Sequence, residues 1–68
     1  MLEVDARGLS CPEPILLTLD ALEQANGQPV LVMVSDSNQR DNVKTQAERK
    51  KKTVTVEQKG QDYYLTIK

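Results

Sequence analysis

The sequence predicts an α+β fold: a two-layer α/β sandwich in the order β-α-β-α-β-β, with a mixed four-stranded sheet and two helices on one face. Three observations predict it. The chain opens strand–helix–strand, which demands a parallel pair joined by a right-handed crossover. It closes with two alternating apolar runs around Lys59-Gly60-Gln61-Asp62, a hairpin pattern. Leu, Ile and Val make up a quarter of 68 residues at a net charge of −1, enough for a folded core. A chain this short buries only about 60% of its unfolded surface, so that core is modest. It forms one domain over residues 1–68.

Leu2 and Val4 alternate with Glu3 and Asp5, the period of a short strand. Arg7-Gly8-Leu9-Ser10 then forms a loop hinged at Gly8. The run from Ile15 to Asn26 is an amphipathic helix whose stripe is Ile15, Leu19 and Leu22, widened by Leu16. Pro12 and Pro14 fall in its first turn, where a missing N–H costs least, and Gly27 is its stop signal. Pro29 opens a strand from Val30 to Ser35, apolar enough to be central and nearly buried on both faces. Ser37 or Asn38 caps a second helix running to about Lys50, with only Val43 and Ala47 as its stripe. Thr53 to Glu57 and Tyr63 to Ile67 supply the hairpin strands. Glu3, Asp5, Thr53, Thr55 and Thr66 leave the face away from the helices fairly polar. Both helices follow parallel strands, so both N-termini open at one edge of the sheet. Tyr63 and Tyr64 divide between a core face and the surface.

Composition removes several function classes. The absence of His excludes His-based general base chemistry, and with a single Cys it argues against a transition-metal site. No glycine-rich phosphate-binding motif occurs, and no cofactor is called for. The longest apolar run, Val30 to Val34, is far short of the ~20 residues that cross a bilayer. Two early acids without an apolar h-region give no secretory signal. An unpaired Cys fits a reducing, cytoplasmic setting. The basic run Arg49-Lys50-Lys51-Lys52 reads as the solvated end of a helix, and without interleaved aromatics direct nucleic-acid binding is not expected.

The chemistry concentrates at Cys11. With Pro12 as the first helical residue, Cys11 is the N-cap, facing the N–H of Glu13 and of Ile15, since Pro14 has none. Those donors and the positive helix end favour a thiolate. The prolines hold the helix start rigid, and Gly8 lets the loop turn behind the sulfur. Glu13 opposes the helix end, and Arg7 in the same loop could balance it. Asp36 and Arg40, on the same edge, form either a capping pair or a partner-recognition surface. One thiolate without a His base or resolving Cys cannot run Cys–His hydrolysis or Cys-x-x-Cys cycling. It can accept a group from another protein's sulfur and pass it on. The bland alternative is a buried Cys acting as a small hydrophobe.

The stretch Val4-Asp5-Ala6-Arg7-Gly8-Leu9-Ser10-Cys11-Pro12-Glu13-Pro14-Ile15 resembles the signature of the TusA/SirA-like sulfur carriers, with Cys-Pro-x-Pro intact. The likeness spans essentially the whole chain, and Ser35 to Val43 looks closest to a branch associated with selenium metabolism. The resemblance implies the sandwich fold, shared with the C-terminal domain of a translation initiation factor. It implies a monomeric persulfide carrier, not a self-sufficient enzyme. Cys11 would take sulfur from a cysteine desulfurase or rhodanese and relay it to an acceptor sulfurtransferase or biosynthetic enzyme. By the same match Asp5, Gly8, Pro12 and Pro14 frame the motif, and Asp36 and Arg40 match the polar positions after the second strand. With the neighbouring charges Arg7 and Glu13 counted as supporting residues, Asp36 and Arg40 are the expected partner-binding pair. Relatives in the selenium-linked branch often carry Gly near Lys51. Lys51 then either ends the helix differently or adopts a left-handed backbone at about 1 kcal/mol. A regulatory protein- or RNA-binding module and a thiol redox sensor are the competing functions.

Overall fold

The computed structural model describes residues 1–68 and has the element order β1 (Leu2–Asp5), α1 (Glu13–Ala25), β2 (Val30–Val34), α2 (Ser37–Arg49), β3 (Val54–Lys59) and β4 (Asp62–Ile67). The sheet order is β1-β2-β4-β3. β1 lies parallel to β2; β4 runs antiparallel to both β2 and β3. The two-layer architecture with a mixed sheet is therefore as the sequence predicts. Gly60, at φ 63°, and Gln61 make the two-residue hairpin loop, a turn that places glycine at its first central position.

The core lies between the sheet and the helices. Val30, Val32 and Val34 of β2 are fully buried, and their β4 partners are Ile67, Leu65 and Tyr63. Val43 and Ala47 of α2 close over them, with Ala21 from α1. β2 is central, as expected, but it is not buried on both faces. Leu31 and Met33 are half-buried, because no element covers the far side of the sheet. Glu3, Asp5 and Thr55 are exposed on that side, as the alternation predicts.

α1 packs on a stripe one residue away from the expected one, a rotation of about 100°. Pro14, Thr18 and Ala21 are buried, Leu22 and Ala25 pack beside them, and Leu16 is left 58% exposed. The small residues face inward, leaving the long leucines to the flanks. Thr18 makes its inward place tolerable by donating its hydroxyl to the Pro14 carbonyl at 2.7 Å.

α2 starts at Ser37, but its cap is Asp36, whose Oδ1 accepts the Gln39 N–H at 2.8 Å. Its buried stripe is Gln39, Val43 and Ala47, one turn longer than the two apolar residues suggest. The helix ends in a Schellman arrangement: Lys52 N–H donates to the Ala47 carbonyl and Lys51 N–H to that of Glu48. The residue at the left-handed position is Lys51, at φ 63°. The left-handed alternative raised by the sequence is thus the one adopted.

Two stability outcomes follow. Leu65→Ala empties the centre of the core and is expected to cost about 2–5 kcal/mol, read from the urea midpoint. Lys51→Gly removes a Cβ from a left-handed backbone and should raise stability by about 1 kcal/mol in the same measurement; a fall in stability would contradict the assignment of strain to Lys51.

Candidate functional site

The loop from Ala6 to Pro12 joins the end of β1 to the start of α1, and its conformation is set by contacts at both ends. Ala6 is buried and donates its N–H to the Met33 carbonyl at 2.8 Å, extending the β1–β2 pairing by one residue. Gly8 adopts φ 79° and gives its N–H to Ser35 Oγ at 2.9 Å. A Cβ on Gly8 would meet nothing within 4 Å, so the requirement for glycine there is conformational. Leu9 packs against the core, and its N–H returns to the Ala6 carbonyl at 3.3 Å. Between these anchors and the helix stands Cys11, exposed and unpaired, followed by a cis peptide bond to Pro12.

The cap geometry differs from the sequence expectation. The helix begins at Glu13, so Pro12 is the N-cap and Cys11 precedes it by one residue. Pro12 offers no side-chain cap bond. The Glu13 N–H, expected to face the sulfur, donates instead to the Ser10 carbonyl at 3.0 Å. Pro12 and Pro14 have no N–H to give. The Pro12 carbonyl accepts from Leu16 at 3.0 Å, and Pro14 is fully buried. The two prolines therefore act as a rigid base under the thiol. The buried-hydrophobe reading of Cys11 is excluded by its exposure.

Arg7 does not balance Glu13. It turns back to Asp5, with Nε on Oδ1 and Nη2 on Oδ2, both at 2.9 Å, while the Arg7 N–H reaches Oδ1 at 3.2 Å. Its Nη1 meets Asp62 Oδ2 at 3.3 Å. Arg7 thus clamps the last residue of β1 to the first residue of β4. The Arg7 guanidinium and backbone N–H hold the Asp5 carboxyl at about 2, well below the usual range, and Arg7 is raised in turn. Both groups lie at the surface, so salt weakens the pair.

Asp36 and Arg40 share the sheet edge but form no side-chain pair. Asp36 is occupied as the cap of α2, as just described. Arg40 bonds Asp41 at 2.9 Å and lies over the Tyr63 ring, 4.8 Å from its centroid. The Arg40 guanidinium lowers Asp41 and is itself raised. Tyr63 packs against the core, whereas Tyr64 sits on the far face beneath Lys59, 5.2 Å from its ring centroid. Two residues that hold the site escape sequence reasoning. Ser35 fastens Gly8, and its only sequence signal is being the first polar residue after the apolar run of β2. Asp62 receives Arg7 across 55 positions of chain, which nothing local announces.

The arrangement presents one nucleophilic sulfur at the surface, on a loop tied to β2 and braced by two prolines. Such a sulfur is placed for attack on a group carried by another protein. A family model described as Sulfurtransferase TusA matches residues 2–68. Among solved structures, a SirA-like protein from Desulfitobacterium hafniense superimposes with a TM-score of 0.92 at 27% sequence identity, covering 98% of this chain and 95% of that one. No curated protein gives a match.

Removing the Arg7 clamp has a pH signature. Because Asp5 is depressed in the fold, its stabilisation is full above its ordinary value of 3.8 and is lost as pH falls through about 2. In Arg7→Ala the Asp5 carboxyl should titrate higher, part of the way back toward 3.8 because the residue-7 N–H still donates to it, and the acid-induced loss of stability over that window should shrink. A carbon-detected NMR titration of Asp5 in both proteins reads the shift; an unchanged midpoint would show that Arg7 does not hold the carboxylate.

Proposed function

Because the chain belongs to the sulfurtransferase TusA family, we propose that Cys11 carries sulfur as a persulfide between two partner proteins. A sulfur-carrying role, with a donor on one side and an acceptor on the other, is the family's common ground. The observation that supports Cys11 as the carrier is its position: the only cysteine, exposed, on a loop tied to the sheet at Ala6 and to Ser35 at Gly8.

The chemistry needs no outside oxidant. The Cys11 thiolate attacks the outer sulfur of a donor persulfide, as a cysteine desulfurase or rhodanese would present it. The donor's S–S bond breaks, a new one forms at Cys11, and the donor leaves as a thiolate. An acceptor cysteine thiolate then attacks the outer sulfur on Cys11, forming the acceptor's persulfide and returning the Cys11 thiolate. One sulfur atom moves in each step and the count of S–S bonds is unchanged.

The remaining residues have supporting parts in this reading. Gly8 gives the loop its left-handed turn. Pro12 and Pro14 stop α1 from extending backward over the thiol. Glu13, exposed at the helix start, supplies a charge that a partner must match. Asp5 and Arg7 close the loop at its base. Arg40 on Tyr63, with Asp36, forms the adjoining rim for partner contact. No helix is long and apolar enough to cross a membrane, and the unpaired thiol suits a reducing cytoplasm.

Incubation with a cysteine desulfurase and free cysteine, followed by non-reducing intact mass, should add one sulfur to the protein, removable by a reductant. Cys11→Ser should add none while keeping the wild-type unfolding midpoint. Loading of the Ser variant would overturn the assignment. Formation of a reductant-sensitive covalent dimer without sulfur gain would favour the redox sensor instead.

A further inference from the structure

β1 is an edge strand, hydrogen-bonded only to β2. Leu2 donates its N–H to the Pro29 carbonyl and Ala6 to that of Met33, so the even-numbered residues direct their backbone toward β2. In a parallel ladder the alternate residues then turn theirs away. Glu3 and Asp5 therefore present free N–H and C=O groups along the outer edge, a template for a further strand. On the helix side of that edge lies a groove of about 280 Å³ between β1 and α1. Leu2, Val4, Leu17 and Ala21 line it, and Asp20 stands at its rim. Leu2 is 36% exposed and Leu17 40%.

The charge on this side is one-sided. Glu3, Asp5 and Asp20 line the groove and no lysine or arginine does, while Arg7 beyond it is already engaged with Asp5 and Asp62. Two copies meeting edge to edge through β1 would bring together two edges on which Glu3 and Asp20 carry unpaired charge and Asp5 is held by Arg7, which repels. A basic strand meets no such barrier.

We infer that β1 accepts an extended segment of a partner protein in which apolar and basic residues alternate, paired along its free edge. The apolar side chains of that segment drop into the groove beside Leu2, Val4 and Leu17. Its lysines or arginines fall on the opposite face beside Glu3, whose carboxylate no base of this chain holds, and next to the Asp5–Arg7 pair. Main-chain bonds supply the affinity, and the acids select the partner. The groove is built from the same β1 and α1 that flank the Cys11 loop, so a partner strapped there holds its own surface near the thiol. The inference stands apart from whether Cys11 carries sulfur, since Cys11→Ser leaves the edge intact.

The test uses a short fluorescein-labelled peptide of alternating lysine and valine, read by anisotropy and by amide exchange of the protein. Binding should protect the Glu3 and Asp5 amides. The Glu3 N–H has no partner in the fold, and an edge strand tolerates proline at such a position. Glu3→Pro should therefore fold and bind at least about tenfold more weakly. The same loss is expected when the peptide is N-methylated at alternate residues, which decides the matter should Glu3→Pro fail to fold. A peptide with glutamate for lysine should also lose at least about tenfold. Absence of binding, affinity indifferent to N-methylation or to charge, or unprotected Glu3 and Asp5 amides at saturation would each overturn the inference. Self-association through this edge without peptide would overturn it as well.

Discussion

Where Ala6 gives its N–H to the Met33 carbonyl, the pairing of β1 with β2 reaches its last bond and the thiol loop departs. Most of the site depends on that parallel pairing. It sends both strands to the same edge, so α1 and α2 both begin there. It brings Ser35, one residue past β2, within reach of the Gly8 amide. It also puts the end of β1 across β2 from the start of β4, where Arg7 can bind Asp5 and Asp62 together. Without the parallel register, the loop would have two ends and no anchor between them.

Much of this was legible because local chemistry and global fold agree. The alternation of Leu2 and Val4, the stop at Gly27 and the turn at Gly60 each specify one local conformation, and the sheet needs all three. Cys11, Pro12 and Pro14 stood out because their spacing is unusual for a helix start. What was not legible came from packing and from distant pairing. The rotation of α1 turns on whether a helix meets a sheet through leucines or through Pro14, Thr18 and Ala21. Apolarity favours the leucines, but close approach to the valines of β2 favours the small residues. The cap of α2 fell to Asp36 over Ser37 because its carboxylate reaches the Gln39 amide. The Cys11 cap failed because the helix begins one residue later than the prolines suggest, and the Glu13 N–H closes a turn on the Ser10 carbonyl.

The polar groups that are fully enclosed show how little slack this small interior has. Thr18 finds the Pro14 carbonyl. Gln39, 6% exposed, leaves its Oε1 without a partner at the head of the α2 stripe. An unmet buried acceptor costs on the order of 1–3 kcal/mol. A domain of this size has a total stability not many times larger, so how that one oxygen is satisfied matters to the fold.

The strand order carries a consequence for how the chain comes to be folded at all. The last strand in sequence, β4, is an inner strand, and β3 pairs with nothing else. A growing polypeptide that has reached Lys59 holds only the parallel ribbon of β1 and β2 and a third strand with no neighbour. Two of the five fully buried side chains of the sheet, Leu65 and Ile67, arrive only with β4, and Val30 and Val32 pair with them. The sheet is thus closed by β4, which joins the parallel pair to β3 in one step. The thiol loop, though made early, acquires its Arg7–Asp62 fastening only once β4 has taken its place in the sheet.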